Sequence, residues 1–260
     1  MKPLQDLAVA LQRLSNLATI QRWKRDTAAF IYESGVSTID EHDPEEPKPF
    51  PTAIERPDLE WYWRQIDDTK DDLVIDKARQ NMISHAMRAA EMAKVLFTPN
   101  VKIALVFDDE GEAKKQIEER THAMFRSLPP WFKDRYTFKQ RLGWFYVEKC
   151  DGRRWNSYIE PIAKNPELLR GSTYTWIVWE EMAKQGWAKA AYRAALPTIQ
   201  GKRNPKTGKK QKGRMFAIST PIPGSFHEVL VGDEELRDEA IAIARMGNQQ
   251  RRDLAVIGSA

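Results

Sequence analysis

The sequence predicts an α/β fold in which a mostly parallel sheet is covered by helices. From residue 73 onward, short apolar segments alternate with helical patterns, as in parallel βαβ units. The apolar segment 174–179 ends in two adjacent acids, Glu180 and Glu181, as expected of a central strand that opens into a ligand site. No internal repeat or long low-complexity tract interrupts the alternation.

Residues 4–32 predict an amphipathic helix that opens the protein. Its apolar stripe recurs every three or four positions, at Leu4, Leu7, Leu11, Leu14, Leu17 and Ile20. Residues 40–57 combine acids with prolines, so this stretch cannot continue a helix and is predicted to be a linker or an irregular wrap. We therefore expect a helical arm with its linker over residues 1–50 and the main domain over residues 51–260.

The elements of the main domain are predicted from apolar runs and helical periodicity. Strands are expected at Leu73–Ile75, Val101–Phe107, 143–149, 154–160, 174–179 and Met215–Ser219. Helices are expected at 83–97, 109–127, 186–196 and after Gly224.

The charge balance is compatible with a polyanionic partner. The chain has 41 basic and 37 acidic residues, a net charge of +4. From Lys202 to Arg214 it has seven cations and no acid, interrupted by glycine and proline, which predicts a mobile basic loop. The loop suits contact with a DNA or RNA backbone, and a solvated hairpin tip is an equally open interpretation.

Composition excludes several classes of protein. No apolar run approaches the roughly 20 residues that span a bilayer, and the N-terminus lacks the layout of a signal peptide. We therefore expect a cytoplasmic protein with no membrane contact. Cys150 is the single cysteine and the four histidines show no ligand spacing, so neither an intrachain disulfide nor a structural zinc site is expected.

The two acids after the central strand are the first candidate site. Successive strand residues face opposite sides, so Glu180 could hold a cation while Glu181 takes a proton. The alternative is that a strand ends in solvated glutamates before a helix.

A basic turn before the first predicted helix is the second candidate. It contains Lys77 and Arg79, and it reaches Ser84 where a helix begins. Backbone N–H groups and the dipole at a helix start favour phosphate, and a hydroxyl there suits Mg²⁺. The turn lacks both glycines and the lysine of a full phosphate loop, so an ordinary basic turn remains the alternative.

The third candidate segment is the predicted strand Met215–Ser219. Its last residue is a serine, and Thr220 and Pro221 follow it. The order of these three segments resembles that of the large terminase subunit of tailed bacteriophages, the ATPase that packages viral DNA. Lys77–Gln80 resembles that family's deviant Walker A, and Leu169–Tyr174 resembles its Arg-Gly segment. Ile218–Pro221, with Gly224 and Phe226, is similar to its coupling motif. The resemblance covers roughly residues 50–230.

The resemblance implies a P-loop NTPase-type fold, ATP and Mg²⁺ as ligands, and a role for each matching residue. Lys77 or Arg79 would contact the β- and γ-phosphates, and Arg79 would assist catalysis. Ser84 and Glu180 would hold Mg²⁺, while Glu181 would deprotonate the attacking water. Ser219 and Thr220 would couple hydrolysis to DNA movement. The implied nucleotide-contacting set is Lys77, Ala78, Arg79, Gln80, Asn81, Met82, Ile83, Ser84, Ser219 and Thr220.

Three positions depart from the family pattern. Met82 replaces a glycine, Ile83 stands at the usual lysine position, and Glu180 replaces an aspartate. A methionine side chain can crowd the approach of backbone to phosphate. A non-catalytic nucleic-acid- or partner-binding protein on a degenerate ATPase scaffold is therefore the alternative function.

The resemblance also implies partners. These are double-stranded DNA, the portal protein of the procapsid, the small terminase subunit and further copies in a ring, in the host cytoplasm. Family members continue into a nuclease domain, which we do not expect within this chain. A helicase is a second alternative, although nothing after residue 230 predicts a second motor domain. A scaffold protein that acts through its N-terminal helical arm is a third.

Overall fold

The described part of the chain forms an N-terminal helical region, a two-stranded ribbon and an eight-stranded sheet flanked by helices. The computed structural model describes residues 2–40, 43–70, 72–77, 82–163, 169, 173–185, 192, 195, 199, 213–220 and 240–246. The predicted α/β class with a mostly parallel sheet is confirmed.

The N-terminal region differs from its prediction in two ways. The single helix expected over 4–32 is two helices, α1 (Lys2–Trp23) and α2 (Thr27–Ser34). They separate because extended Asp26 accepts a hydrogen bond from the Ala29 N–H and so caps α2. The expected linker is in part a strand, because β2 (Asp43–Pro49) pairs with β1 (Ser37–Asp40). A two-stranded ribbon tolerates proline because each strand has an open edge.

The remaining elements follow the predicted alternation, with additions. They are α3 (Pro57–Asp68), β3 (Asp72–Lys77), α4 (Ile83–Phe97), β4 (Lys102–Val106), α5 (Glu110–Lys115), α6 (His122–Ser127), α7 (Pro130–Lys133), β5 (Tyr136–Phe138), β6 (Phe145–Cys150), β7 (Arg153–Ile162), β8 (Trp176–Glu180), β9 (Arg214–Ser219) and β10 (Ala240–Met246).

Four of these elements were not expected from the sequence, namely α3, α7, β5 and β10. The helix expected over 109–127 is a continuous helical run whose middle, Gln116–Thr121, is a π-helix. The helix expected over 186–196 lies outside the described residues except for Tyr192 and Ala195, which are helical. The helix expected after Gly224 lies wholly outside them.

The sheet brings distant segments together at one edge. Its strand order is β10-β3-β9-β8-β4-β7-β6-β5, parallel from β10 to β7 and antiparallel thereafter. Ile218 pairs with Ile75 on one side and with Glu180 on the other. The carboxyl ends of β3, β9 and β8 therefore lie side by side, where parallel sheets bind ligands.

Two apolar clusters cover the two faces of this sheet. The larger cluster joins α3, α4 and the buried part of the N-terminal helices, including Trp23, Trp63 and Met87. The smaller cluster lies on the opposite face and includes Ala104, Ile177 and Trp179. Four leucines of the α1 stripe remain exposed, Leu7, Leu11, Leu14 and Leu17. Among the described helices, none is long and apolar enough to cross a bilayer.

Candidate functional site

The two adjacent acids at the end of β8 lie in different surroundings. Glu180 is the last strand residue and is buried, with 2% of its surface exposed. At Glu181 the backbone turns into the left-handed region with φ 52°, and its N–H donates to the Ile218 carbonyl at 2.7 Å. The chain then enters a 3-10 turn, Met182–Lys184. The left-handed backbone at Glu181 therefore directs the two adjacent carboxylates into different surroundings.

Glu181 is held between two lysines. Lys77, at the end of β3, places its Nζ 2.8 Å from Glu181 Oε1, and Lys184 Nζ lies 2.8 Å from Oε2. Burial acts to raise the pKa of Glu181, but the hydrogen bonds and charges of Lys184 and Lys77 outweigh it and lower the pKa below its ordinary value. Glu181 is therefore ionised at neutral pH.

Glu180 is bound from the neighbouring helix α4. The Ser84 hydroxyl, in the first turn of α4, donates to Glu180 Oε2 at 2.9 Å. Arg88, one turn further along, places Nη2 3.4 Å from Glu180 Oε1 and 2.6 Å from Glu91 Oε1. Serine and arginine four residues apart share one face of the helix, so α4 contacts both carboxylate oxygens.

The cluster of Arg88, Glu91 and Glu180 is a buried ionic group. Arg88 is 1% exposed and Glu91 is fully buried. Burial raises the pKa of Glu91 to about 8, although Arg88 acts to lower it. Within the described residues, Arg88 Nε and Nη1 and Glu91 Oε2 have no hydrogen-bond partner. Such a partly satisfied group tolerates substitution poorly.

Met82 and Ile83 lie at the start of α4. Met82 has φ 63°, a left-handed conformation that favours glycine, and its carbonyl accepts from the Ala86 N–H at 2.9 Å. The Ile83 side chain is fully buried in the larger apolar cluster. The Ile83 side chain is therefore not available to a ligand at the start of α4, whereas its backbone is part of the helix start.

Ser219 and Thr220 lie at the end of β9, between the two acids and Lys77. Ser219 is buried, and its hydroxyl donates to the Thr220 carbonyl at 3.2 Å. Thr220 Oγ1 is buried without a hydrogen-bond partner in the described residues. Ala78, Arg79, Gln80 and Asn81 lie outside the described residues, so their predicted contacts stay predictions.

Several charged residues of the site were not predicted from the sequence, and one buried arginine was predicted in the wrong kind of structure. Lys184, Arg88 and Glu91 were not singled out, although the spacings Glu181–Lys184 and Ser84–Arg88 are those of helical neighbours. Arg214 was assigned to a mobile basic loop, which is wrong. It begins β9, is buried, and donates to the Ile66 carbonyl at 2.6 Å and to Thr69 at 3.0 Å. Residues 202–212 lie outside the described residues.

The oxygen atoms of this site suit a small hard cation. The Ser84 hydroxyl and one Glu180 carboxylate oxygen lie together beside a helix start, and Mg²⁺ is bound through few carboxylates, hydroxyls and phosphate oxygens. The described residues contain no cluster of three or more histidine, cysteine or acidic side chains that could bind a metal alone. A cation bound by Ser84 and Glu180 would therefore need further oxygen ligands from water or from a bound molecule.

Similarity to known proteins appears in structure rather than in sequence. No protein-family model matches the chain, and no curated protein matches it. The large terminase of bacteriophage HK97 superposes with a TM-score of 0.58 at 12% identity, over 91% of this chain and 52% of that one. An ATPase-domain mutant of the Thermus phage P74-26 large terminase superposes with a TM-score of 0.50 at 15% identity, over 74% of this chain and 84% of that one.

These similarities confirm the fold. The described chain shares the mostly parallel α/β fold of the HK97 large terminase and of the P74-26 ATPase domain, as the sequence resemblance implied. The chain spans about half the length of the HK97 large terminase.

Proposed function

We propose that this chain is the ATPase motor of a terminase, which hydrolyses ATP with Mg²⁺ to drive double-stranded DNA into a procapsid. One observation carries the proposal. Lys77, Ser84, Glu180 and Glu181, which are up to 104 residues apart, converge at the carboxyl ends of adjacent strands. Phosphoryl transfer requires cations, a metal ligand and a base in one place, and this edge of the sheet supplies them.

The roles follow from the contacts. Glu181 is ionised and 27% of its side chain is exposed, but Oε2 is buried and Oε1 is bound by Lys77. Movement of a lysine away from the carboxylate would let Glu181 orient an attacking water and accept its proton. Ser84 and Glu180 would hold Mg²⁺, which neutralises charge on the phosphates when it is bound. Arg88 would keep Glu180 oriented toward Ser84 through its second oxygen.

The ion pair between Lys77 and Glu181 suggests how nucleotide binding prepares the base. A triphosphate carries more negative charge than one carboxylate, so it would attract the Lys77 ammonium away from Glu181. Loss of this partner would raise the pKa of Glu181 toward that of an effective general base. Lys77 would thus bind phosphate and release the base in one movement.

The remaining roles complete the proposal. Arg79 would contact the γ-phosphate and Ser219 and Thr220 would sense hydrolysis, with Ala78–Ile83 contributing backbone to the phosphate site. Partners would be double-stranded DNA, the portal protein, the small terminase subunit and further copies in a ring, in the host cytoplasm. Residues 51–260 would form the motor domain, with residues 1–50 as an arm.

ATP hydrolysis by Glu181→Gln tests the proposal. This change keeps the shape of the side chain and removes the base, so turnover should fall by about 10²-fold or more. Phosphate release would be measured with Mg²⁺, with and without double-stranded DNA. Glu119→Gln is the matched control, because Glu119 is 62% exposed on the helical run away from the strand ends. Equal turnover in the parent and Glu181→Gln would reject the assigned base.

A non-catalytic scaffold is the second candidate, and the start of α4 favours it. A buried isoleucine stands where the family has its phosphate-binding lysine, and Met82 occupies a conformation suited to glycine. Nucleotide binding without turnover in the parent chain would support this function over the motor.

A further inference from the structure

A row of aromatic and basic side chains crosses the sheet far from the strand ends just described. Tyr158 of β7 pairs with Lys102 of β4 on one side and with Tyr146 of β6 on the other. The Lys139 N–H donates to the Tyr146 carbonyl at 3.0 Å, which extends the row by one more chain segment. Neighbouring strands are about 4.8 Å apart, so the row is roughly 14 Å long with a lysine at each end.

The aromatic rings hold these cations in place. Lys139 Nζ lies 5.7 Å from the Tyr146 ring centroid, and Lys102 Nζ lies 5.9 Å from that of Tyr158. Next to the row, the Arg141 guanidinium lies 3.6 Å from the centre of the Trp144 ring. Cations held over rings lose less conformational freedom when they bind an anion.

The rings also support each other. Tyr158 lies 5.1 Å from Trp144 and 5.3 Å from Tyr146, between ring centroids. We call the six residues the aromatic–basic platform: Lys102, Lys139, Arg141, Trp144, Tyr146 and Tyr158.

In the described part of the chain, the platform lies on the face of the sheet opposite the larger apolar cluster. The alternate residues Phe145, Val147 and Ile159 are fully buried against the helical side. Further along the platform's own face, Ala104 and Ile162 are buried in the smaller apolar cluster. The platform begins where that cluster ends: Lys139 and Arg141 are exposed, and the rings are half-buried.

The charge of this surface is predominantly positive. Within the described residues, Lys102, Lys139 and Arg141 form no ion pair. Strand alternation adds the acid Glu160, two residues beyond Tyr158 on β7. Glu160 is buried and accepts a hydrogen bond from the Tyr174 hydroxyl; burial raises its pKa, although Tyr174, Arg141 and Lys102 act to lower it. An excess of ordered cations complements a polyanion.

We propose that the aromatic–basic platform is a docking surface for the phosphate backbone of double-stranded DNA. The cations cover the aromatic rings, so phosphates meet lysine and arginine before a base could stack. Contact of this kind is independent of sequence, as a protein that moves along DNA requires. The choice of double-stranded DNA as the polyanion rests on the proposed function.

Salt dependence of DNA binding tests this surface. The double variant Lys139→Ala, Arg141→Ala should bind a short labelled duplex of mixed sequence about tenfold or more weakly at moderate salt. The slope of log affinity against log salt should fall by about two, because each lost phosphate contact contributes about 0.9. Fluorescence anisotropy titrations over a range of salt concentrations, without nucleotide, measure both quantities.

Lys24→Ala, Arg25→Ala is the matched control. It removes the same charge from two exposed residues in the turn after α1. Equal losses in the two double variants would overturn the proposal, because they would show a net-charge effect. Thermal unfolding of each variant identifies one that fails to fold, and single Lys139→Gln and Arg141→Gln variants then replace it.

The role of the rings has its own variant. Trp144→Leu keeps all the cations and removes the ring under Arg141, so affinity should fall severalfold while the salt slope stays unchanged. Tighter binding of single-stranded than of double-stranded DNA would overturn the backbone assignment in favour of base stacking.

The two proposals fail separately. Turnover that depends on Glu181, together with DNA binding that the platform variants leave unchanged, would reject the platform and retain the motor. Platform-dependent DNA binding without turnover would retain the platform and reject the motor. A parent chain that binds no duplex at low salt would overturn the platform.

Discussion

Two groups of charged side chains in this chain are stabilised in opposite ways. At the strand ends, Arg88, Glu91 and Glu180 are buried and partner one another. On the outer face of β6 and β7, Lys139 and Arg141 are exposed and lie over aromatic rings. Burial makes the first group costly to alter, whereas salt screens the second. Substitutions should therefore affect stability and chemistry at the strand ends and salt-dependent affinity on the outer face.

The largest effect is expected from Arg88→Met. This change leaves Glu180 and Glu91 buried without their cation, and loss of one partner of a buried pair costs about 3–5 kcal/mol of unfolding free energy. Urea unfolding monitored by tryptophan fluorescence measures the loss. Arg64→Met is the control, because Arg64 is 58% exposed and pairs with Glu60 on the surface of α3. We expect a change within about 0.5 kcal/mol there.

A loss at Arg88 no larger than that at Arg64 would contradict the distinction between the two groups. It would mean that water reaches the cluster around Glu180 and solvates it. Glu180 would then be free to rotate, and its assignment as an oriented metal ligand would lose its physical support.

A smaller effect is expected at Met82, where the substitution changes backbone strain and not the burial of a charge. Methionine at φ 63° bears a conformational cost of about 1 kcal/mol that glycine does not. Removing this cost in Met82→Gly offsets the free energy lost with the partly buried side chain. Met82→Gly should therefore destabilise the chain less than Lys115→Gly, which places glycine at a helical φ of −58° and costs about 1 kcal/mol.

The free energies of unfolding of Met82→Gly and Lys115→Gly, measured by urea denaturation, are compared with each other. If Met82→Gly is the more destabilising, packing of the methionine side chain outweighs the strain. The departure from glycine at this position would then be a stabilising feature of the helix start.

Local patterns predicted much of the fold and the centre of the site. Strands β4, β8 and β9 and helix α4 were expected within a few residues, because apolar runs and helical spacing mark them directly. Glu180 and Glu181 stood out because they end a buried strand. The helix α3 was not predicted because the prolines before it indicate turns. Pro57, however, occupies the first position of α3, where proline favours a helix start.

Contacts between distant segments could not be read from such patterns. Arg88 is one of several charged residues in a helix, and only the fold places it beside Glu180, 92 residues away. Pairing of β10 with β3 likewise joins segments more than 160 residues apart. The rows across β4, β7 and β6 depend on strand register, which is fixed by three-dimensional packing rather than by any one segment.

The smallest effect is expected from Lys184→Met. Lys184 is half exposed, yet its partner Glu181 is the proposed base, so the change should appear in pH dependence rather than in stability. Loss of a cation favours the protonated acid, so the pKa of Glu181 rises and the acidic limb of the ATPase pH profile moves to higher pH. Lys115→Met, an exposed lysine away from the site, should leave the limb in place. An unmoved limb in Lys184→Met would mean either that another group titrates there or that Lys77 alone sets the ionisation of Glu181.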